Sequence, residues 1–261
     1  MKAQKFKFVL VCISISLFCL IFSGVSYAKI DLKACIGAWL FDEGKGDVAK
    51  DSSGSGNDAK IVNGVKWTNG QINGALDFDG ADDRLDIQDN ANLNGLSDIT
   101  MMAWVYLRRE VTSGTWNAIA GKNPYSNGYL IWIQVPREPC GLVYAGGARF
   151  DDRTGASLDL KRWYHLAFTR DAKGVMKFYI DGVLATTAAS TAGPITTIAG
   201  PLTIGGQSPQ IIDGMLDEVI IFNTALVEND IKGIMTNGLL KANDVSLAGK
   251  FVECWGKLKN Q

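Results

Sequence analysis

Between Trp163 and Gly182 the chain reads WYHLAFTRDAKGVMKFYIDG, and this stretch limits the possible folds more than any other. Tyr164, Leu166 and Phe168 are spaced two apart, as are Met176, Phe178 and Ile180, which is the period of strands with one buried face. Asp171 to Gly174 is a four-residue loop ending in glycine, and Asp181-Gly182 signals a second hairpin into Val183 and Leu184. Three consecutive antiparallel strands are therefore expected, with these hairpins near the centre of a sheet.

The same pattern recurs along the chain. Strands are expected over Cys35–Phe41, Ala59–Val62, Ala75–Phe78, Arg84–Ile87, Trp116–Ala120, Gly128–Gln134, Gly141–Tyr144, Leu202–Gly206 and Gly214–Phe222. Ile99–Leu107, ITMMAWVYL, is more continuously apolar and reads as a mid-sheet strand covered on both faces, with Trp104 in the core. One helix is expected, because Ile231, Ile234 and Met235 follow helical spacing before Gly238, a C-terminal stop. Many short strands with glycine-rich turns and almost no helix define an all-β, two-sheet antiparallel sandwich.

The first 28 residues read as a secretory signal peptide. Lys2, Lys5 and Lys7 precede the apolar run Phe8–Phe22, and Ser26-Tyr27-Ala28 supplies small residues for cleavage. The apolar run is short for a membrane span. The expected organisation is a signal over 1–28, a sandwich over 29–240 and a C-terminal arm or tail over 241–261, with no transmembrane segment in the mature chain. The signal takes three lysines and no acid with it, so the formal charge moves from −1 to −4. That balance argues against general binding to nucleic acid or anionic membrane and suits a secreted or periplasmic protein. Three cysteines remain, Cys35, Cys140 and Cys254; one disulfide with a free thiol and three buried thiols are both open.

In order, the pieces WLFDEGKG, DSSGSGN, GALDFDGADDRLDI, ITMMAWVYL, WYHLAFTRD, KFYIDGVL, LTIGG and GMLDEVIIFNTAL resemble the concanavalin A-like, laminin-G-like jelly-roll domains of secreted bacterial proteins. The resemblance runs from about Ile36 to Leu240. It implies two curved antiparallel sheets, a concave face available to ligands and, in many relatives, a calcium ion. Arg84 stands where the pattern has an aromatic, and Val227 where it has a helix-capping hydroxyl residue.

Candidate chemistry is sparse. His165, the only histidine, lies inside a strand and reads as structural rather than as a catalytic base. Paired carboxylates occur at Asp42-Glu43, Asp82-Asp83, Asp151-Asp152 and Asp217-Glu218, but no Glu-x-Asp-x-Glu-like set spaced along one strand occurs. They read as solvated loop residues or cation ligands. For calcium, DSSGSGN offers Asp51 and Asn57 on an adaptable loop, and the resemblance adds Glu43 and Asp217 as acids meeting at one edge. Asx-turn roles are the alternative for the loop residues.

Trp116, Tyr125, Tyr129, Trp132 and Tyr144 cluster in the stretch expected to line or border the concave sheet, with Asn117, Asn123, Gln134 and Arg149 nearby. Sugar rings stack on such aromatics and such polar groups bind their hydroxyls; the alternative is that the aromatics fill the core. The expected function is a secreted, non-catalytic module that binds glycan through Trp116, Tyr125, Trp132, Tyr144 and Arg149. A glycoside hydrolase or polysaccharide lyase on the same fold and a protein-interaction or adhesion module are the competing expectations.

Overall fold

The computed structural model describes residues 30–242, apart from 113–115, 123–126, 198 and 207–209. The predicted signal segment, most of the C-terminal arm, Asn123, Tyr125 and Cys254 lie outside the described residues.

The strands are β1 (Cys35–Trp39), β2 (Val48–Ala49), β3 (Ala59–Val62), β4 (Lys66–Asn69), β5 (Gly74–Asp79), β6 (Arg84–Ile87), β7 (Ile99–Leu107) and β8 (Trp116–Lys122). They continue as β9 (Tyr129–Gln134), β10 (Glu138–Ala145), β11 (Ala148–Arg153), β12 (Trp163–Arg170), β13 (Val175–Ile180), β14 (Val183–Ala189), β15 (Leu202–Ile204) and β16 (Asp213–Phe222). One sheet runs β14-β13-β12-β7-β16-β5-β4, with β1 also on β16; the other runs β11-β10-β9-β8-β15-β6-β3-β2. All pairings are antiparallel. The fold is the two-sheet antiparallel sandwich the alternation predicts, of the jelly-roll type the resemblance implies.

The β12–β13–β14 hairpins form as expected but flank the first sheet, with β14 at its edge; β7 and β16 occupy the middle. β16 is the longest strand and changes partner along its length. Its first half pairs with β5 and its second half with β1, and a register shift between Asp217 and Ile220 marks the handover. Glu218 there has φ +48°, a left-handed conformation that a bulge accommodates.

The main core lies between the sheets and includes Trp39, Phe78, Tyr129, Phe168, Phe178 and Ile204, all essentially inaccessible to water. Burial of each large apolar side chain contributes roughly 1.5–3 kcal/mol. Packing there is tight enough to dictate a glycine: a Cβ on Gly141 would sit 2.1 Å from Phe168 Cδ2, so β10 presses directly onto that ring. Arg170, also fully buried, donates to the carbonyls of Ser97, Thr191 and Gly193 at 2.5–2.6 Å and ties together loops at one end.

A second cluster covers the outer face of the first sheet. Residues 228–242 are helical, and Ile231, Ile234 and Leu239 pack with Leu226 and Ile30 onto Ala38, Leu40, Met102, Ala167, Ile220 and Phe222. The helix continues past the predicted stop, but Gly238 has φ +73°, so regular α geometry is interrupted where the stop is expected. Trp104 departs from expectation: it lies half-buried on this outer face, edge-on to His165 with centroids 5.2 Å apart, rather than in the inter-sheet core. Its strand position has the opposite parity to the core residues Ala103 and Val105.

Candidate functional site

Along β9, Tyr129, Ile131 and Ile133 enter the inter-sheet core, so Leu130, Trp132 and Gln134 face the other way. Register carries this face across four strands. Trp132 lies between Ala118 on β8 and Cys140 on β10, Leu130 between Gly121 and Leu142, and Gln134 between Trp116 and Glu138. Tyr144 is opposite Arg149 and Leu142 opposite Asp151 on β11. Gly121 has no room for a side chain, since a Cβ would come 2.5 Å from Leu130 Cδ1.

The result is an aromatic and aliphatic patch with a charged border. The Trp116 and Trp132 rings meet edge to face at 5.4 Å and 74°. Trp132, Leu130, Leu142, Ala118 and Cys140 are buried beneath half-buried Trp116 and Tyr144. Trp116, Leu130, Trp132, Leu142 and Arg149 line a shallow, open depression. It is far too small to enclose a ligand, so the feature is a platform.

Arg149 grips Asp151 at 2.9–3.1 Å through Nε and Nη2, which orients both groups at the border. Burial works against its charge, yet Asp151 and Tyr144 raise the guanidinium above its ordinary range. Trp132 Nε1 is buried and has no hydrogen-bond partner. The Cys140 thiol is pushed up to about 12, chiefly by burial, and so stays protonated and inert in the floor. Cys35 is likewise a free, buried thiol, pushed up to about 12 by burial.

Four of the five expected ligand residues, Trp116, Trp132, Tyr144 and Arg149, thus share one face. The fifth, Tyr125, lies outside the described residues, and Tyr129 of the wider aromatic cluster is on the other side: its ring fills the inter-sheet core and its hydroxyl donates to Leu93 O at 3.1 Å. Asn117, opposite Ile133, is also turned to the core side. Leu130 and Leu142 were missed as site residues, although they share the parity of Trp132 and Tyr144.

The four residues expected to hold calcium are distributed differently. Asp51 is consumed by backbone donors: Oδ1 accepts from Ala38 N and Ser53 N at 3.0 and 2.9 Å, and Oδ2 from Asn57 N at 2.9 Å. The Asn57 side chain donates to Ile36 O and Asn92 Oδ1 and accepts from Asn90 Nδ2. These bonds pin the DSSGSGN loop to β1. Glu43 accepts from Lys50 N at 2.6 Å through Oε1, and its Oε2 is buried without a partner.

Asp217 sits at the β16 handover, accepting from Ile72 N at 2.8 Å. Burial pushes it up to about 8, with Glu218 and Asp42 as further causes. Burial also pushes Glu218 up to about 7. The early acid felt at Asp217 is therefore Asp42. Since Asp217 and Glu218 are 0 % and 5 % exposed, neither carboxyl reaches a polysaccharide. His165 is 1 % exposed, and burial pushes it down to about 3, leaving a neutral imidazole walled off from solvent.

Fold and face together define an antiparallel jelly-roll sandwich whose second sheet carries an aromatic platform on its outer side. The chain belongs to the concanavalin A-like lectin/glucanases superfamily, whose Laminin_G_3 model matches residues 79–232, more than half of its length. Among solved structures it is similar to the binding domain of Paraclostridial Mosquitocidal Protein 1, with TM-score 0.65 and 17% identity over 78% of this chain and 52% of that one. It is also similar to domain 4 of AbnA, a GH43 extracellular arabinanase from Geobacillus stearothermophilus solved with arabinotriose. There the TM-score is 0.62 and the identity 18% over 77% of this chain and 98% of that one. A third is the binding domain of botulinum neurotoxin DC, solved with rat synaptotagmin II, with TM-score 0.63 and 17% identity over 78% and 52%. The chain thus spans about half of the toxin binding domains and nearly all of the arabinanase domain. No curated protein matches it. At these identities the likeness concerns the fold.

Proposed function

We propose that this protein is a secreted, non-catalytic module that recognises carbohydrate on the outer face of β8–β11. The observation that carries the reading is the shared placement of Trp116, Trp132, Leu130, Leu142 and Arg149 around one shallow depression. The half-buried Trp116 and Tyr144 rings offer the apolar surface against which the C–H face of a sugar ring stacks, with Leu130, Trp132 and Leu142 packed beneath them. Arg149 and Asp151 at the border supply a donor and an acceptor for hydroxyls. The open shape suits a chain passing over the surface rather than a substrate enclosed for chemistry.

Three further points support the reading. The arabinanase domain of the same fold was solved with arabinotriose. The sequence opens on a segment with the features of a secretory signal. Among the described residues no helix is long and apolar enough to cross a membrane. As for hydrolysis, the strongly shifted carboxyls Asp217 and Glu218 are buried on β16 of the other sheet.

A glycan array probed with the mature protein is expected to show retention of one or a few related oligosaccharides, with arabino-oligosaccharides included in the panel. Retention of none, together with capture of a protein ligand by the same face, would replace glycan by protein as the partner. Release of reducing ends from any retained polysaccharide would replace the binding module by an enzyme.

A further inference from the structure

At the turn joining β5 to β6, the chain passes from one sheet to the other through Asp79-Gly80-Ala81-Asp82-Asp83. One carboxylate oxygen from each of Asp79, Asp82 and Asp83 lies within 4.8 Å of the others, the only such trio of potential ligands among the described residues. Asp79 and Asp82 are exposed, whereas Asp83 is only 3 % exposed. Asp83 Oδ2 accepts from Asp79 N at 3.0 Å, but Asp83 Oδ1 is buried with no partner.

As a carboxylate that oxygen lacks a donor. Leaving such a group buried and unpaired is unfavourable, more so when it is charged. No ion pair among the described residues involves any of the three acids. The nearby arginines are committed elsewhere: Arg108 bonds Asp77 and Asp213, and Arg109, whose guanidinium lies against Gly80, also bonds Asp213.

The facing turn completes the enclosure. Asn63 and Gly64 both have left-handed backbone, and Asn63 Nδ2 donates to Asp82 O at 3.0 Å. A Cβ on Gly64 would lie 3.8 Å from Asp83 Oδ1, so this oxygen points into the space between the two turns.

We propose that Asp79, Asp82 and Asp83 hold a calcium ion that clasps the β5–β6 crossover. Three hard, anionic oxygens with no nitrogen or sulfur donor suit calcium or magnesium. Calcium accepts irregular loop geometry, and at bond lengths of about 2.3–2.6 Å two of its ligands lie at most about 5 Å apart, a span that contains the trio. Its remaining positions go to water. The site is separate from the aromatic platform and stands whether or not that platform binds sugar.

Isothermal titration of the chelator-stripped protein with calcium chloride tests the site, with thermal unfolding read in parallel. Wild type is expected to bind one ion at this turn and to melt about 5–10 °C higher at a hundredfold excess over Kd. Asp82→Asn and Asp79→Asn keep the shape and the turn hydrogen bonds of exposed residues, and each is expected to weaken binding tenfold or more. Asp217→Asn is expected to bind as wild type does. Absence of binding at millimolar calcium overturns the proposal. So does binding unchanged in both turn variants, or lost only in Asp217→Asn.

Discussion

The two outer faces of the sandwich meet water in opposite ways. On the first sheet, Met102, Ala167, Ile220 and Phe222 are sealed by Ile231, Ile234 and Leu239 of the helical segment. On the second sheet, Leu130, Trp132 and Leu142 are screened by Trp116 and Tyr144, which remain half-buried themselves, and by a border of exposed charged residues on β11. Under the proposed function, the sealed face serves stability and the face with half-buried aromatic rings serves recognition.

The largest effect that can break this assignment is on stability. Phe222 is fully buried beneath the helix, so Phe222→Ala is expected to lose about 3–5 kcal/mol in urea unfolding. Trp116→Ala, removing a half-buried ring, is expected to lose clearly less. Equal losses would mean that the second face is as structural as the first, and the distinction would fail.

The pH dependence of stability sharpens the contrast, because the buried acids lie on the covered side. Asp217 and Glu218 are pushed up to about 8 and about 7 by burial, so the folded chain holds protons there that the unfolded chain releases. Their contribution is fully present below about pH 4 and is lost as pH rises through the folded values. His165 acts oppositely: pushed down to about 3 by burial, it contributes stability above its ordinary 6.5 that is lost as pH falls toward 3. Between about pH 4.5 and 6.5 the histidine offsets only one of the two acids, so a smaller net loss of stability with rising pH is already expected. From pH 6.5 to 8.5 only the acids act, and chelator-treated wild type is expected to lose stability. Asp217→Asn is expected to show a shallower loss, and Asp217→Asn combined with Glu218→Gln almost none. An unchanged slope in the double variant would show that these carboxyls are not the source.

Much of the architecture is legible in sequence where alternation is undiluted. β12, β13 and β14 follow from the spacing of Tyr164, Leu166, Phe168, Met176 and Phe178. β11 is not legible, because Ala148–Arg153 carries two arginines and two aspartates and only Phe150 marks the core side. Sheet order is invisible as well: nothing local says that β16 hands over from β5 to β1, or that Asp42 rather than Glu43 lies beside Asp217.

For the site, the residue types on β8–β11 are legible, and parity would have moved Tyr129 to the core and brought Leu130 and Leu142 in. Parity fails for the loop aspartates, which have no fixed period. DSSGSGN and DGADD look alike as oxygen-rich turns. Only the hydrogen bonds distinguish the first, whose Asp51 and Asn57 are satisfied by the chain, from the second, whose Asp83 is not.

If ligand binds on the outer face of β8–β11, the affinity of a retained oligosaccharide will separate wild type, Trp116→Ala and Trp163→Ala, the last removing a half-buried indole from the outer face of the first sheet. A loss of at least about tenfold, equivalent to about 1.4 kcal/mol, is expected in Trp116→Ala and wild-type affinity in Trp163→Ala. Wild-type affinity in Trp116→Ala with loss in Trp163→Ala would move the binding surface to the other sheet and contradict this placement.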